Sequence, residues 1–268
     1  MQLASIHLYP LKGAAGLEVA EWEVDAFGLR HDRRFMLVDP EGRFVTQREE
    51  PRLALVRPRI EGDRLLLALP GQAERALALE PRAGEELAVS VWSAELRALA
   101  PAPGLDAWLS AFLGRALRLV YMPEASFRRV DARYVSERRR TSFTDGFPFL
   151  VIGQASLDEL NRRLAAPLPM NRFRPNLVIQ GAAPFAEDGW AQIRIGALDF
   201  ALVKPCSRCV VTTTDQARGE RDGAEPLRTL ARFRRRGDAV LFGQNAQHAG
   251  PGRLRAGDAV EVVARRPA

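Results

Sequence analysis

Cysteine, lysine and histidine are scarce in this chain. Its 268 residues include two cysteines (Cys206 and Cys209), two lysines (Lys12 and Lys204) and three histidines (His7, His31 and His248). Two cysteines do not make the disulfide framework of a small secreted scaffold. They also fall short of the four thiolates that an iron–sulfur cluster normally takes. No window holds the ~18–20 consecutive apolar residues of a membrane span. The start, Met1-Gln2-Leu3-Ala4-Ser5-Ile6-His7, lacks the basic and apolar regions of a secretory leader. A cytoplasmic location with no membrane partner is the expectation.

Arginine is abundant. Lys and Arg total 39 against 33 Asp and Glu, a net charge of +6. Binding to nucleic acid calls for basic residues interleaved with aromatics on one face. The runs Arg138-Arg139-Arg140 and Arg234-Arg235-Arg236 have only Phe143 and Phe233 near them. No nucleic-acid partner is expected. The positive surface is read as arginine bias or as attraction for an acidic redox partner.

The first half reads as short strands: residues 2–9, 17–24, 34–38, 44–46, 53–60, 64–69, 87–92 and 95–98, separated by turn signals such as Asp39-Pro40-Glu41-Gly42 and Glu61-Gly62-Asp63. A helix is predicted over 105–113, ended by Gly114. The polar, arginine-rich segment 123–144 reads as a loop or lid. Further strands are expected at 118–122, 149–152, 176–179, 191–195, 198–203, 240–242 and 260–263. Helices are expected at 155–164, with Ser156 as a candidate N-cap, and at 226–236. The fold class is mainly β with α, an α+β protein, with a boundary near residue 117.

The sharpest local feature is Lys204-Pro205-Cys206-Ser207-Arg208-Cys209, followed by Val210-Val211-Thr212-Thr213-Thr214-Asp215. Several readings compete for the Cys-x-x-Cys. A zinc site needs four ligands, and no second ligand pair is present. A thioredoxin-like pair opens a helix, whereas five β-branched residues favour a strand. Inert buried cysteines are a further reading. The last is one thiolate ligand to a metal whose other ligands come from a cofactor. Lys204 and Arg208 would favour the anionic sulfur, and Ser207 with its neighbouring N–H groups could bind an anion.

Cations also recur at strand ends: Lys12, Arg33, Arg34, Arg172 and Arg174. Arginine forks suit phosphate, and lysine adds a point charge. Gly146, in Asp145-Gly146-Phe147-Pro148-Phe149, permits close approach of a ligand to backbone.

These pieces, taken in order, resemble the MOSC superfamily with its N-terminal β-barrel partner, and within it the amidoxime-reducing molybdenum enzymes. The matching segments are Tyr9-Pro10-Leu11-Lys12, Gly28-Leu29 through Asp32-Arg33-Arg34-Phe35, Thr46-Gln47-Arg48-Glu49-Glu50-Pro51-Arg52-Leu53, Asp145 to Leu150, Asn171-Arg172-Phe173-Arg174-Pro175-Asn176, Cys206 to Asp215, and Leu241-Phe242-Gly243-Gln244-Asn245. The resemblance implies an N-terminal MOSC β-barrel domain over 1–117 and a MOSC domain over 118–266. It implies a molybdenum–molybdopterin cofactor with Cys209 as the metal ligand and Cys206 as a neighbour. Lys12, Arg34 and Arg174 match positions that hold the pterin's phosphate and polar edge. Ser207 and Arg208 match residues beside the metal, and Asn176 supports Arg174. Some relatives carry hydroxyl side chains where this chain has Gly13, Gly146 and Phe147, and an aromatic where it has Asn245. Contacts there would fall to backbone N–H groups.

The activity implied is two-electron reduction of N-hydroxylated or N-oxide compounds. Electrons would come from a separate flavin or iron–sulfur protein. Cys209 and Asp145 are the candidate catalytic residues, with Asp145 or Asp215 relaying protons. A carrier of the cofactor or of sulfur is the alternative, since MOSC domains also occur in cofactor sulfurases. A lysine Schiff base with pyridoxal phosphate is a further alternative, with a visible absorbance band as its mark.

Overall fold

Short runs of Val, Ile, Leu and Phe form the strands of this protein, whose computed structural model describes residues 1–267. One sheet of nine strands runs in the order Leu17–Val19, Gln2–Leu8, Leu177–Gln180, Phe149–Gly153, Ala239–His248, Leu198–Ser207, Trp190–Ile195 and Val260–Arg265. The short Arg235–Arg236 pairs beside Ala239–His248. Its buried face carries Leu3, Ile6, Phe149, Val151, Leu177, Ile193 and Phe200. The Phe149 and Phe200 rings meet edge to face with centroids 5.1 Å apart, a favoured aromatic geometry.

Phe149–Gly153 and Leu177–Gln180 are parallel neighbours. Parallel strands need a long crossover, and helix Gln154–Asn161 lies within it. Gly153, not Ser156, holds the N-cap position. The Ser156 hydroxyl is buried; it donates to Glu187 Oε2 at 2.9 Å and accepts from the Phe185 N–H at 2.7 Å. It ties the helix to the next loop and leaves the helix end uncapped.

A second sheet orders Phe35–Val38, Arg118–Tyr121, Ala94–Ala100 and Glu85–Val91. Helix Pro103–Leu113 buries Leu105, Trp108, Leu109 and Leu113, and Gly114 ends it in the left-handed conformation that glycine adopts readily. Two three-stranded sheets, Arg57–Glu61, Arg64–Ala68 and Arg75–Ala78, then Gly252–Arg255, Glu21–Asp25 and Gly28–Leu29, and the two-stranded pair Thr214–Asp215 and Glu220–Arg221 complete the strand set among the described residues. The class is α+β, mostly strands with three α-helices among the described residues.

Hydrogen-bonded strand pairs cross residue 117 repeatedly, and Ala94–Ala100 pairs with Arg118–Tyr121 directly across it. Gln2–Leu8 pairs with Leu177–Gln180, Glu21–Asp25 with Gly252–Arg255, and Phe35–Val38 with Arg118–Tyr121. Loops from both halves of the chain therefore meet along one seam. The directions of pairing fix which loops these are. The end of Gln2–Leu8 lies beside the start of Leu177–Gln180, which adjoins the start of Phe149–Gly153.

Two local expectations are corrected. Val210–Thr213 is a 3₁₀ turn, not a strand. Its threonines explain this: the Thr212 hydroxyl donates to Cys209 O at 2.9 Å and the Thr213 hydroxyl to Val210 O at 2.8 Å. Such back-bonding overrides the preference of β-branched residues for strands. The last helix is shorter than expected, Leu227–Phe233, because Arg235–Arg236 folds back onto Ala239–His248.

Candidate functional site

The strand that leads to the cysteines is irregular. Leu198–Ser207 shifts register against Ala239–His248 between Leu202 and Lys204, and again between Pro205 and Ser207. Proline cannot donate to the ladder, and bulges re-aim side chains. The result is a wall of Cys206, Ser207, Arg208 and Cys209 on a cavity of about 340 Å³.

The facing walls come from both halves of the chain. Lys12, Gly13, Arg33, Gln47, Arg48 and Trp92 belong to the first; Asp145, Gly146, Phe147, Arg174, Asn176 and Asn245 belong to the second. Every expected site residue except Arg34 and Asp215 lines this one cavity. Asn245 sits at one level of the sheet, opposite Leu150 on one side and Lys204 on the other.

Arg34 is the correction. It is buried on the far side, where its Nε and Nη2 donate to Met122 O at 3.0 and 2.6 Å. Its guanidinium carbon stands 4.0 Å from the centre of the Phe27 ring. Adjacent residues near a strand start point to opposite sides, and Arg33 takes the cavity instead. Arg33 has φ +49. Arg34→Met is expected to lower the unfolding free energy by about 2–3 kcal/mol, through lost charged hydrogen bonds and stacking. Urea titration checks this, with cofactor content unchanged. Lost cofactor at unchanged stability would return Arg34 to the site.

Tyr9 organises the cations. Its buried ring lies between the Arg33 and Arg174 guanidinium groups, 4.4 and 4.3 Å from its centre, and its hydroxyl donates to Pro175 O at 3.0 Å. Burial pushes its pKa up to about 12. Arg33 also pairs with Asp32 and donates to Asn176 Oδ1 at 3.1 Å. Arg174, at φ +54, donates to Ala14 O at 2.6 Å. Burial pushes Arg174 down to about 10. Gln47 donates to Gly13 O at 2.7 Å and pairs with Gln216, fixing the Lys12–Gly13 loop.

Lys12 Nζ donates to Phe143 O at 2.8 Å and to Asp145 Oδ1 at 2.6 Å. Burial lowers its pKa to about 8, although Asp145 works the other way. Partial withdrawal from water opposes the Asp145 carboxylate, but Lys12 and Arg48 outweigh it and hold it well below the usual range. Its side chain keeps 64% of its surface open. Asp145 therefore stays ionised at neutral pH and orients Lys12; it is a poor proton donor there. Asp215 lies off the cavity. It caps the turn at Ala217 and Arg218 through its Oδ1.

Gly13 has φ +85, and a β-carbon there would come within 3.1 Å of Leu53. Gly146 has open space around it, so a side chain would fit. Arg208 donates to Cys206 Sγ at 3.0 Å and to Phe173 O at 2.7 Å, while its buried Nε has no partner. Cys209 is half-buried, caps the 3₁₀ turn and has a free thiol.

Five cations line the cavity against one carboxylate. Buried charge of one sign is costly unless a counter-charge completes it. No cluster of three or more His, Cys, Asp or Glu that could hold a metal occurs among the described residues. The fold and the cavity thus define a protein that presents two free thiols on the wall of a cationic chamber.

The sequence relatives agree with that class. The MOSC N-terminal beta barrel domain model matches residues 1–116, and the MOSC domain model matches residues 138–261. The chain is 35% identical over 279 residues to Mitochondrial amidoxime-reducing component 1 of Mus musculus, covering 97% of this chain and 82% of that protein. The human protein of the same name is 33% identical over 278 residues, with the same coverage. Molybdenum cofactor sulfurase of Oryza sativa subsp. japonica is 30% identical over 263 residues, covering 91% of this chain and 32% of that protein. The chain belongs to the MOSC family that carries the N-terminal MOSC β-barrel domain, alongside the amidoxime-reducing components.

Tyr9, Gln47, Arg48 and Trp92 are not candidates from sequence, and Arg33 is marked there only as one of several cations at strand ends. Arg33 and Arg48 lie in segments that the resemblance spans, so the signal was present. Choosing between Arg33 and Arg34 required the left-handed backbone at Arg33.

Proposed function

We propose that the cavity holds a molybdenum–pyranopterin cofactor and that the protein reduces N-hydroxylated compounds. The observation that carries this is the half-buried Cys209 thiol on the wall of a cavity with five cations and one carboxylate. The residues fit such a group. The depressed pKa values of Lys12 and Arg174 and the unpartnered Arg208 Nε all ask for an anion.

When bound, the cofactor supplies the two-electron redox change that these side chains lack. Cys209 would hold the metal. Lys12, Arg33, Arg174 and Arg208 would hold the anionic and polar parts of the pterin. Asp145 keeps the Lys12 ammonium aimed across the cavity. Arg208, bonded to Cys206, fixes the loop that sets the Cys209 sulfur. Overall the substrate N–O bond breaks. Two electrons arrive from a separate flavin or iron–sulfur protein and two protons from solvent. Water leaves, and the nitrogen remains as an amine or amidine. The net charge of +6 suits an acidic donor.

The relative named as a cofactor sulfurase favours a second reading, a carrier of cofactor or sulfur. Protein produced with molybdenum supplied is expected to contain near-stoichiometric metal and pterin, and to reduce benzamidoxime with a chemical electron donor. Bound cofactor without turnover would establish the carrier. Neither metal nor pterin would sink both readings.

A further inference from the structure

Trp92 lines the cavity but has no task in holding an anion. It is the first of two turn residues between Glu85–Val91 and Ala94–Ala100, where Val91 pairs with Ala94. Its φ is +56, and Ser93 is not in the positive region. A two-residue hairpin turn with positive φ at its first position alone is a place for glycine. Here the chain puts its bulkiest residue type, under backbone strain. Strain of this kind is retained where the side chain serves a further purpose.

The indole does not serve the core. It is 47% exposed. The Phe44 ring sits 5.1 Å away and the Arg48 guanidinium 4.6 Å from its centre. Arg48 is 3.6 Å from Asp145, which holds Lys12. The ring is thereby braced by an aromatic and by a chain of ions leading into the cavity. Phe147 lines the same cavity, its ring edge against Tyr134 at 5.9 Å. The chamber thus has a charged wall and an aromatic rim. A hydrated anion gains nothing from an indole, whereas a flat ring on a substrate gains stacking and apolar burial.

We infer that Trp92 is a specificity-determining residue that selects substrates whose N-hydroxyl group is carried on an aromatic ring over short aliphatic ones. This rests on the reductase reading above. Trp92 meets the ring of the substrate and leaves the reacting atoms to the interior of the cavity.

The test compares benzamidoxime with acetamidoxime on cofactor-loaded protein, for the parent, Trp92→Gly and Trp92→Phe. Glycine relieves the turn, so a purely structural role would move the melting temperature and leave substrate preference alone. In the parent, the KM for benzamidoxime is expected to lie roughly tenfold below that for acetamidoxime, the scale of one aromatic stack. Trp92→Gly is expected to erase that ratio by raising the benzamidoxime KM, with kcat and the acetamidoxime KM within about twofold, and Trp92→Phe to restore most of it. A ratio that survives in Trp92→Gly, or no preference in the parent, overturns the inference. Saturation-transfer NMR of both compounds decides the matter independently of turnover. Benzamidoxime ring protons should saturate more strongly than the rest of the compound in the parent and lose that excess in Trp92→Gly, and equal saturation in both overturns it. Ring binding without reduction would instead remove the reductase reading.

Discussion

Cys209→Ser is expected to retain less than about a tenth of the molybdenum held by the parent protein and to reduce benzamidoxime at least ~100-fold more slowly. Loss of a supporting residue alone typically costs 10–100-fold at a metal site, so loss of the ligand should cost more. On the proposed reading the Cys209 sulfur is the soft donor to the metal, and a serine oxygen is a far weaker ligand in its place. No protein cluster stands ready to replace it among the described residues. Cys206→Ser is expected to behave differently. Its sulfur already accepts a hydrogen bond from Arg208 at 3.0 Å, and a serine oxygen accepts the same bond. Metal content should stay within about twofold of the parent. Plasma mass spectrometry with pterin fluorescence reads both variants. Equal metal loss in the two, or none in Cys209→Ser, would remove the ligand assignment.

Lys12→Met is expected to lower pterin retention by about 10–100-fold, the range for one buried charged hydrogen bond. The same substitution should change how stability depends on pH. Burial lowers the Lys12 pKa from 10.5 to about 8. Below pH 8 both folded and unfolded chains carry the proton, and the cost of the buried ammonium is fully present. Between pH 8 and 10.5 the folded chain has released a proton that the unfolded chain keeps. Stability contributed at this position therefore rises with pH across that window, by about 3 kcal/mol if the whole shift is expressed. Urea unfolding at pH 7.5, 8.5 and 9.5 should show the rise in cofactor-free parent protein and its loss in Lys12→Met. Burial also lowers Arg174 and Arg128 and raises Tyr9, but both proteins carry these groups, so their contribution largely cancels in the difference between parent and Lys12→Met. An identical pH profile in the two proteins would show that Lys12 is not a strained cation.

Much of the site was legible because its residues sit in contiguous segments with marked chemistry. Lys12 is one of two lysines, and Cys206 to Cys209 hold every thiol in the chain. Arg34 was not legible. A strand-edge pair of arginines carries no local sign of which one faces the cavity, and the backbone at Arg33 reversed the expected order. The turn after Cys209 departs from the strand that its residues favour because threonine hydroxyls bond to carbonyls three residues back, which propensity does not register. Residue type and periodicity make Trp92 the end of a strand. Its importance lies in a turn geometry that residue type argues against.

The sequence alone determined the α+β class, the main strands, the thiol pair and the reservoir of positive charge, because these follow from local periodicity and residue chemistry. Tertiary structure decided that the two halves share hydrogen-bonded strands, so that Lys12, Arg33 and Arg48 come to face Arg174 and Cys209 across one chamber. Convergence of distant segments depends on strand direction and register, which side-chain patterning leaves open. Only in that chamber do ordinary surface cations become buried and short of a counter-charge.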